Sequence, residues 1–110
     1  MTYKEIKSML GNIGLPVVYD HWPENKAPNP PYICFFFPGD NDFIGDNSNY
    51  AKIRELTVQL YTDQKDFELE ETVEQALSAF VYDRYEEFIS DENLYLVSYE
   101  MEVLINAEES

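Results

Sequence analysis

Tyr95-Leu96-Val97-Ser98-Tyr99-Glu100-Met101-Glu102-Val103-Leu104-Ile105 alternates with a period of two. Tyr95, Val97, Tyr99, Met101, Val103 and Ile105 fall on one side, and Leu96, Ser98, Glu100 and Glu102 on the other. Alternation sustained over this length predicts a half-buried strand, with one face on a core and one toward solvent. The preceding Ser90-Asp91-Glu92-Asn93 has turn composition, so Arg84 to Ile89 reads as the other arm of a hairpin. Further upstream, Leu69, Val73, Leu77 and Phe80, with Ala76, recur at helical spacing. They predict a helix opened by Asp63 to Asp66, whose carboxylates suit the positive end of a helix macrodipole. Glu68, Glu70, Glu71 and Glu74 fall mostly on its solvent side in this reading.

Tyr50 to Tyr61 is the next strand outward. Leu56, Val58 and Leu60 face one way, and Glu55, Thr57, Gln59 and Tyr61 the other, but Ala51 and Ile53 have the opposite parity. The switch predicts a bulge near Arg54, or a strand end that leaves the core. Gly39 to Asn49 is a polar turn region. Before it, Tyr32 to Phe37 is a nearly continuous apolar strand ended by Pro38-Gly39. Such a strand expects cover on both faces, one from a helix and one from elsewhere, including a neighbouring subunit. Pro16 to Tyr19 is a short first strand. Between these two strands, a loop holds four of the six prolines, together with Trp22. Proline fixes φ and lacks an N–H donor, so this loop is a stiff, extended contact surface. At the start, Thr2 and Glu5 fit a capping box. Tyr3, Ile6, Met9, Leu10 and Ile13 predict a helix from Tyr3 to Asn12, with Gly11 and Gly14 as stops.

The resulting order is α-β-β-β-α-β-β. It implies an α+β fold: a mainly antiparallel sheet of about five strands with two helices on one face. Adjacent strands at each end of the order favour hairpins. The chain of 110 residues fits one domain, with 106–110 as a polar tail. Seventeen aromatic side chains are enough for a core.

Charge is unevenly placed. Seven basic and 22 acidic side chains give a formal net of −15. Residues 1–55 contribute −2 of this and residues 56–110 contribute −13. Such a field repels phosphates and anionic lipid, which argues against direct nucleic-acid binding. It leaves solubility, a basic partner, or avoidance of a passing polyanion as its roles. No apolar run approaches the ~20 residues of a membrane span. The first residues also lack the basic start and apolar run of a signal peptide, so a soluble protein made in the cytoplasm is expected.

Catalytic chemistry is thin. The single histidine, His21, lies in the proline loop, and no nucleophile motif, phosphate loop, dinucleotide fingerprint or Cys/His ligand spacing accompanies it. It reads as a structural or interface residue. Cys34 sits in an apolar run and reads as a buried small hydrophobe; one cysteine excludes an internal disulfide framework. Asp40, Asp42 and Gly45 match positions 1, 3 and 6 of a calcium loop, but Ile44 and Ala51 break the pattern. An acidic turn fits better. Paired carboxylates such as Glu86-Glu87 carry no signal among so many acids. Tyr82, Tyr85, Tyr95 and Tyr99 are better explained by packing or subunit contact than by base stacking, because basic residues are scarce around them. No catalytic residue, cofactor or metal is expected.

Four blocks resemble a family of tail-terminator or tail-completion proteins from siphophages and prophages of Gram-positive hosts. They are Tyr19-Asp20-His21-Trp22-Pro23-Glu24 with Ala27-Pro28 and Pro30-Pro31-Tyr32-Ile33; Phe37-Pro38-Gly39-Asp40-Asn41-Asp42-Phe43; Leu60-Tyr61-Thr62-Asp63-Gln64-Lys65-Asp66 with Leu69-Glu70 and Val73-Glu74; and Leu94-Tyr95 with Tyr99-Glu100-Met101-Glu102-Val103. They follow one another across most of the chain, and none is a catalytic signature. The resemblance implies a virion structural protein of the tail, assembled in the host cytoplasm. It would form a ring, six-fold by expectation, at the head-proximal end of the tail tube. Its partners would be itself, the tube protein and a head-tail connector, without direct nucleic-acid binding or membrane. A head-to-tail ring joins two unlike patches. The candidate interface residues are Trp22, Pro23, Pro28, Pro30, Pro31, Phe35 and Phe37. The alternatives are a connector or stopper subunit and an acidic DNA-mimic inhibitor of a host DNA-binding enzyme, with a small enzyme a distant third.

Overall fold

The computed structural model describes residues 1–40 and 51–106. The elements are α1 (Tyr3–Gly11), β1 (Val17–Tyr19), β2 (Tyr32–Asp40), β3 (Ala51–Thr62), α2 (Phe67–Ala76), β4 (Tyr82–Ile89) and β5 (Leu94–Asn106). They build one five-stranded sheet in the order β1-β2-β3-β5-β4. The fold is α+β and mainly antiparallel, as the residue pattern predicts.

Local chemistry sets the helix starts. Thr2 Oγ1 accepts from the Glu5 amide at 3.0 Å, and Glu5 Oε1 accepts from the Thr2 amide at 2.8 Å, which closes the expected capping box. Asp66 caps α2 by accepting from the Leu69 amide at 3.0 Å. Asn12 follows α1 as its C-cap rather than its last residue, and Gly14 then takes a φ of 96°, open to glycine without a Cβ penalty. Phe80, part of the apolar stripe, lies beyond the end of α2 but still packs against the core.

One face of the sheet carries Ile33 and Phe35 from β2, Leu56, Val58 and Leu60 from β3, and Val97, Tyr99, Met101, Val103 and Ile105 from β5. Ile6 and Leu10 of α1 and Val73 and Leu77 of α2 close over them, so both helices cover the same face. The alternation read from residues 95–105 assigns this strand correctly: Val97 is 2% exposed.

Three expectations are corrected. The first concerns the end pairs. β4 and β5 form the predicted hairpin, but β1 pairs parallel to β2, with Val17 opposite Ile33 and Tyr19 opposite Phe35. The proline loop is long enough to carry the chain back to the starting end of the sheet, which a two-residue turn cannot do. The second concerns β3. Its register with β5 is unbroken from Ala51 opposite Asn106 to Thr62 opposite Tyr95, so no bulge forms at Arg54. The irregularity is on β2, between Phe36 and Gly39, where Pro38 has no N–H to give the ladder. Arg54 and Lys52 instead stand opposite the core residues Val103 and Ile105, so the change of parity puts polar side chains at core-facing positions; Lys52 is exposed, and the Arg54 Nε donates to Tyr3 Oη at 3.1 Å. Pro38-Gly39 accordingly does not end β2, and Asn106, read as tail, is paired in β5. The third concerns Glu70, which is 4% exposed rather than on the solvent side.

The calcium-loop reading and most of the polar turn fall on residues 41–50, outside the described residues, as do 107–110 of the tail. Among the described residues, no helix is long and apolar enough to cross a membrane.

Candidate interaction surface

The sequence-predicted interface residues separate into two places, because β2 sends alternate side chains to opposite faces. Phe35 and Phe37 lie on the helix side. Phe35 is 6% exposed and belongs to the core, while Phe37 is half-buried beside it. Tyr19 meets Phe35 edge-on at 5.3 Å and stacks on Phe37 at 6.1 Å, and Tyr3 meets Phe37 edge-on at 5.2 Å. The Phe37 amide donates to Tyr19 Oη at 3.3 Å. These rings floor a groove of 850 Å³ between α1 and the short edge strand β1. Lys4, Lys7 and Arg54 also line it, three of the seven basic residues of a chain with a net charge of −15. Neither Lys4 nor Lys7 pairs with an acidic group among the described residues.

Trp22 lies on the other face. It meets Tyr32 edge-on at 5.8 Å, and Tyr32 stacks on Tyr61 at 5.0 Å. The indole N–H of Trp22 is buried and finds no acceptor among the described residues. Pro28, Pro30 and Pro31 are half-buried, with a cis peptide between Pro30 and Pro31, and Pro23 is exposed. The proline loop therefore folds against the sheet. Asp20 and Asn25, both at positive φ, supply its tight bends. His21 is exposed, its Nδ1 2.7 Å from the neighbouring Asp20 carboxylate.

Cys34, two residues along β2 from Tyr32, falls on the same face and is 4% exposed. Burial, with a smaller contribution from Asp20, pushes its thiol up to about 11, so the nucleophilic thiolate is disfavoured near neutrality. Burial likewise pushes the Tyr61 phenol up to about 12, helped by Cys34 and Tyr32.

The same helix-free face carries acid. By register, Glu55 stands opposite Glu102 and Asp83 opposite Glu100, with Glu87 farther along β4. All five are exposed. A concavity of 870 Å³ lies among Phe36, Thr57, Gln59, Glu100 and the Ala79–Val81 connection.

At the other end of the sheet, α2 meets β4 through an ion cluster that the sequence reading did not find. Arg84 Nη2 donates to Glu70 Oε1 at 2.5 Å and to Glu86 Oε1 at 3.1 Å. Lys65 Nζ donates to Glu70 Oε2 and, at 2.7 Å, to Glu86 Oε1. Tyr99 Oη donates to Glu74 Oε2 at 2.8 Å. Hydrogen bonding from Lys65, aided by Arg84, holds the Glu86 carboxyl below its usual range despite some desolvation. Burial alone would lower the Lys65 ammonium, but hydrogen bonds to Glu70 and Glu86 more than offset it and raise it. Burial and the hydrogen bond to Glu74 raise the Tyr99 phenol. A signal was present in the sequence. Glu70, Val73 and Leu77 share a helix face at i, i+3 and i+7, and Lys65 and Arg84 are the only bases in residues 56–110.

The described residues contain no group of three or more His, Cys, Asp or Glu side chains placed to hold a metal ion. Comparison with protein-family models and with curated proteins finds no match for this chain.

Proposed function

We propose that the chain is a structural subunit of tailed-phage assembly: a tail-terminator or tail-completion protein of a virion or prophage. It forms a ring at the head-proximal end of the tail tube and acts by association, without a chemical step. The observation that carries this reading is the acidic, helix-free sheet face of Glu55, Asp83, Glu87, Glu100 and Glu102. A surface of that sign repels phosphate, as the wall of a ring traversed by DNA requires. The resemblance of the four sequence blocks is what supports this choice of family. The rigid proline loop with Trp22 supplies a contact surface that loses little ordering entropy when a neighbour or the tube binds it.

The test is genetic. A phage or inducible prophage lacking this gene makes overlong tube polymers, or tails that fail to join heads. Tails of normal length that join heads would end the proposal. Tails of normal length that fail to join would move the chain to a connector or stopper role. Trp22→Ala should leave the monomer folded and reproduce the assembly defect in part. The isolated protein should give no salt-dependent gel shift of duplex DNA at micromolar concentration.

The same acidic face favours a second reading, a DNA mimic that occupies the site of a host DNA-binding enzyme. Tight inhibition of such an enzyme by the isolated protein, with intact tails from the deletion, would select it.

A further inference from the structure

We infer that the groove between α1 and β1 receives the β4 edge, with its flanking α2, of a second copy of this chain, in a head-to-tail contact. The inference rests on the self-assembly proposed above and names the two surfaces that would meet.

Consider first the receiving edge. The Pro16 carbonyl and the Asp20 amide both bond to β2, at 2.8 Å to the Ile33 amide and 2.7 Å to the Phe35 carbonyl. Strand alternation therefore turns the Val17 N–H and C=O and the Tyr19 N–H to the open side. β1 is the terminal strand of the sheet, so among the described residues no further strand takes those groups. Beside them lie the aromatic floor of Tyr19, Phe35 and Phe37 and the ammonium groups of Lys4 and Lys7. This combination fits an added strand that carries an aromatic side chain and carboxylates.

The chain owns such a strand. β4 is the opposite terminal strand of the same sheet, eight residues long, and its six central residues are exposed. Phe88 and Tyr85 project large rings from it. Phe88 pairs with Tyr95 and Glu86 with Val97, so both lie on the helix side, where Lys4 and Lys7 stand at the other edge. The adjoining flank of α2 carries Phe67, Glu71 and Glu74 at i, i+4 and i+7, and Glu74 lies 3.5 Å from Arg84 of β4. Phe67 is 68% exposed. One edge is therefore basic and aromatic; the other is aromatic and net acidic, since Glu70, Glu71, Glu74 and Glu86 outnumber Lys65 and Arg84 there and Glu71 is exposed. Because these surfaces differ and sit at opposite ends of one sheet, their contact is heterologous and repeats from copy to copy. At about 0.15 M salt the general repulsion between two strongly acidic chains is screened beyond ~8 Å, while contact pairs persist.

The test is an amide-shift dilution series at 0.15 M salt, from millimolar to micromolar protein. The expected result is concentration-dependent shifts at Lys4, Lys7 and Val17–Tyr19 together with Tyr82–Ile89. Lys4→Glu/Lys7→Glu and, separately, Glu71→Lys should each weaken self-association by about tenfold. An equimolar mixture of the two variants should regain association, because each then offers the other a matched edge. These positions are exposed, so a fold change is not the expected cause; unaltered far-ultraviolet dichroism confirms it. A concentration-invariant spectrum, shifts confined to the Trp22 and Glu100 face, or no recovery on mixing would each overturn the inference. Those outcomes leave the ring itself to be judged by tail length in the gene deletion.

Discussion

The two ends of the sheet use positive charge in opposite ways. At the α2–β4 end, Lys65 and Arg84 are spent internally on Glu70 and Glu86, and a nearly buried carboxylate holds a helix to an edge strand. At the α1–β1 end, Lys4 and Lys7 line an aromatic groove and pair with no acidic group among the described residues. A base bound to a buried acid is part of the fold, whereas a base held over an apolar groove in an acidic protein remains available to a partner. Proximity to aromatic rings is found at both ends and does not distinguish them. What distinguishes them is whether the charge is already satisfied.

The comparison can be broken in several ways. The largest expected effect lies in the core between the two ends. Val97→Asp places an unpaired charge in the core, opposite Leu60, and should cost on the order of 3 kcal/mol or more. An unchanged denaturation midpoint would overturn the strand assignment on which both ends depend. Next is the direct contrast. Glu70→Ala leaves Lys65 and Arg84 with Glu86 as their one remaining shared acceptor and should cost about 2 kcal/mol, since the buried half of the cluster is lost while both cations can partly reach water. Lys4→Ala/Lys7→Ala should stay within about 0.5 kcal/mol in the same chemical denaturation experiment. Equal losses would erase the distinction.

A smaller effect concerns pH. Glu86 has a lowered pKa in the folded chain, so its contribution is present above the unfolded glutamate value of about 4.3 and is lost as pH falls through the lower folded value. Denaturation midpoints between pH 5 and 3 should fall less steeply in Lys65→Ala than in the wild type. Parallel slopes would remove Glu86 from the account. The smallest effect is a rate. Buried Cys34, with its thiol pushed up, should react with a disulfide reagent at neutral pH far more slowly in the folded chain than in denaturant. Fast native labelling would show that Cys34 is not shielded in the folded chain.

Much of this fold is legible from side-chain period. Residues 95–105 and the Leu69–Leu77 stripe determine which faces are buried, because burial of one sheet face leaves a strong period of two. The parallel β1–β2 pair was less legible, since a three-residue strand carries almost no register information and its direction depends on the path of the proline loop. The parity change at Ile53 misled for a physical reason. A long Arg54 stem can occupy a core-facing position and still deliver its head to Tyr3 Oη, so a polar residue at an inward position need not mark a bulge. The groove was half legible. Phe35 and Phe37 stand out in the sequence, but Lys4 and Lys7 lie on a helix far away in sequence, and only the fold brings them to the same edge. Closeness in sequence groups Trp22 with the phenylalanines, but it packs on Tyr32, which strand alternation puts on the opposite face from Phe35 and Phe37.

The central claim is that the two unlike ends of the sheet meet between copies, and chemical cross-linking tests it most directly. Lys7→Cys protein is mixed with Glu71→Cys protein and treated with a short bis-maleimide, native Cys34 being buried and serving as the unmodified control. The account predicts a Lys7→Cys/Glu71→Cys heterodimer as the dominant product, and a ladder of multimers when both changes are placed in one chain. Dominant homodimers of either single variant, or monomer alone in both experiments, would contradict it.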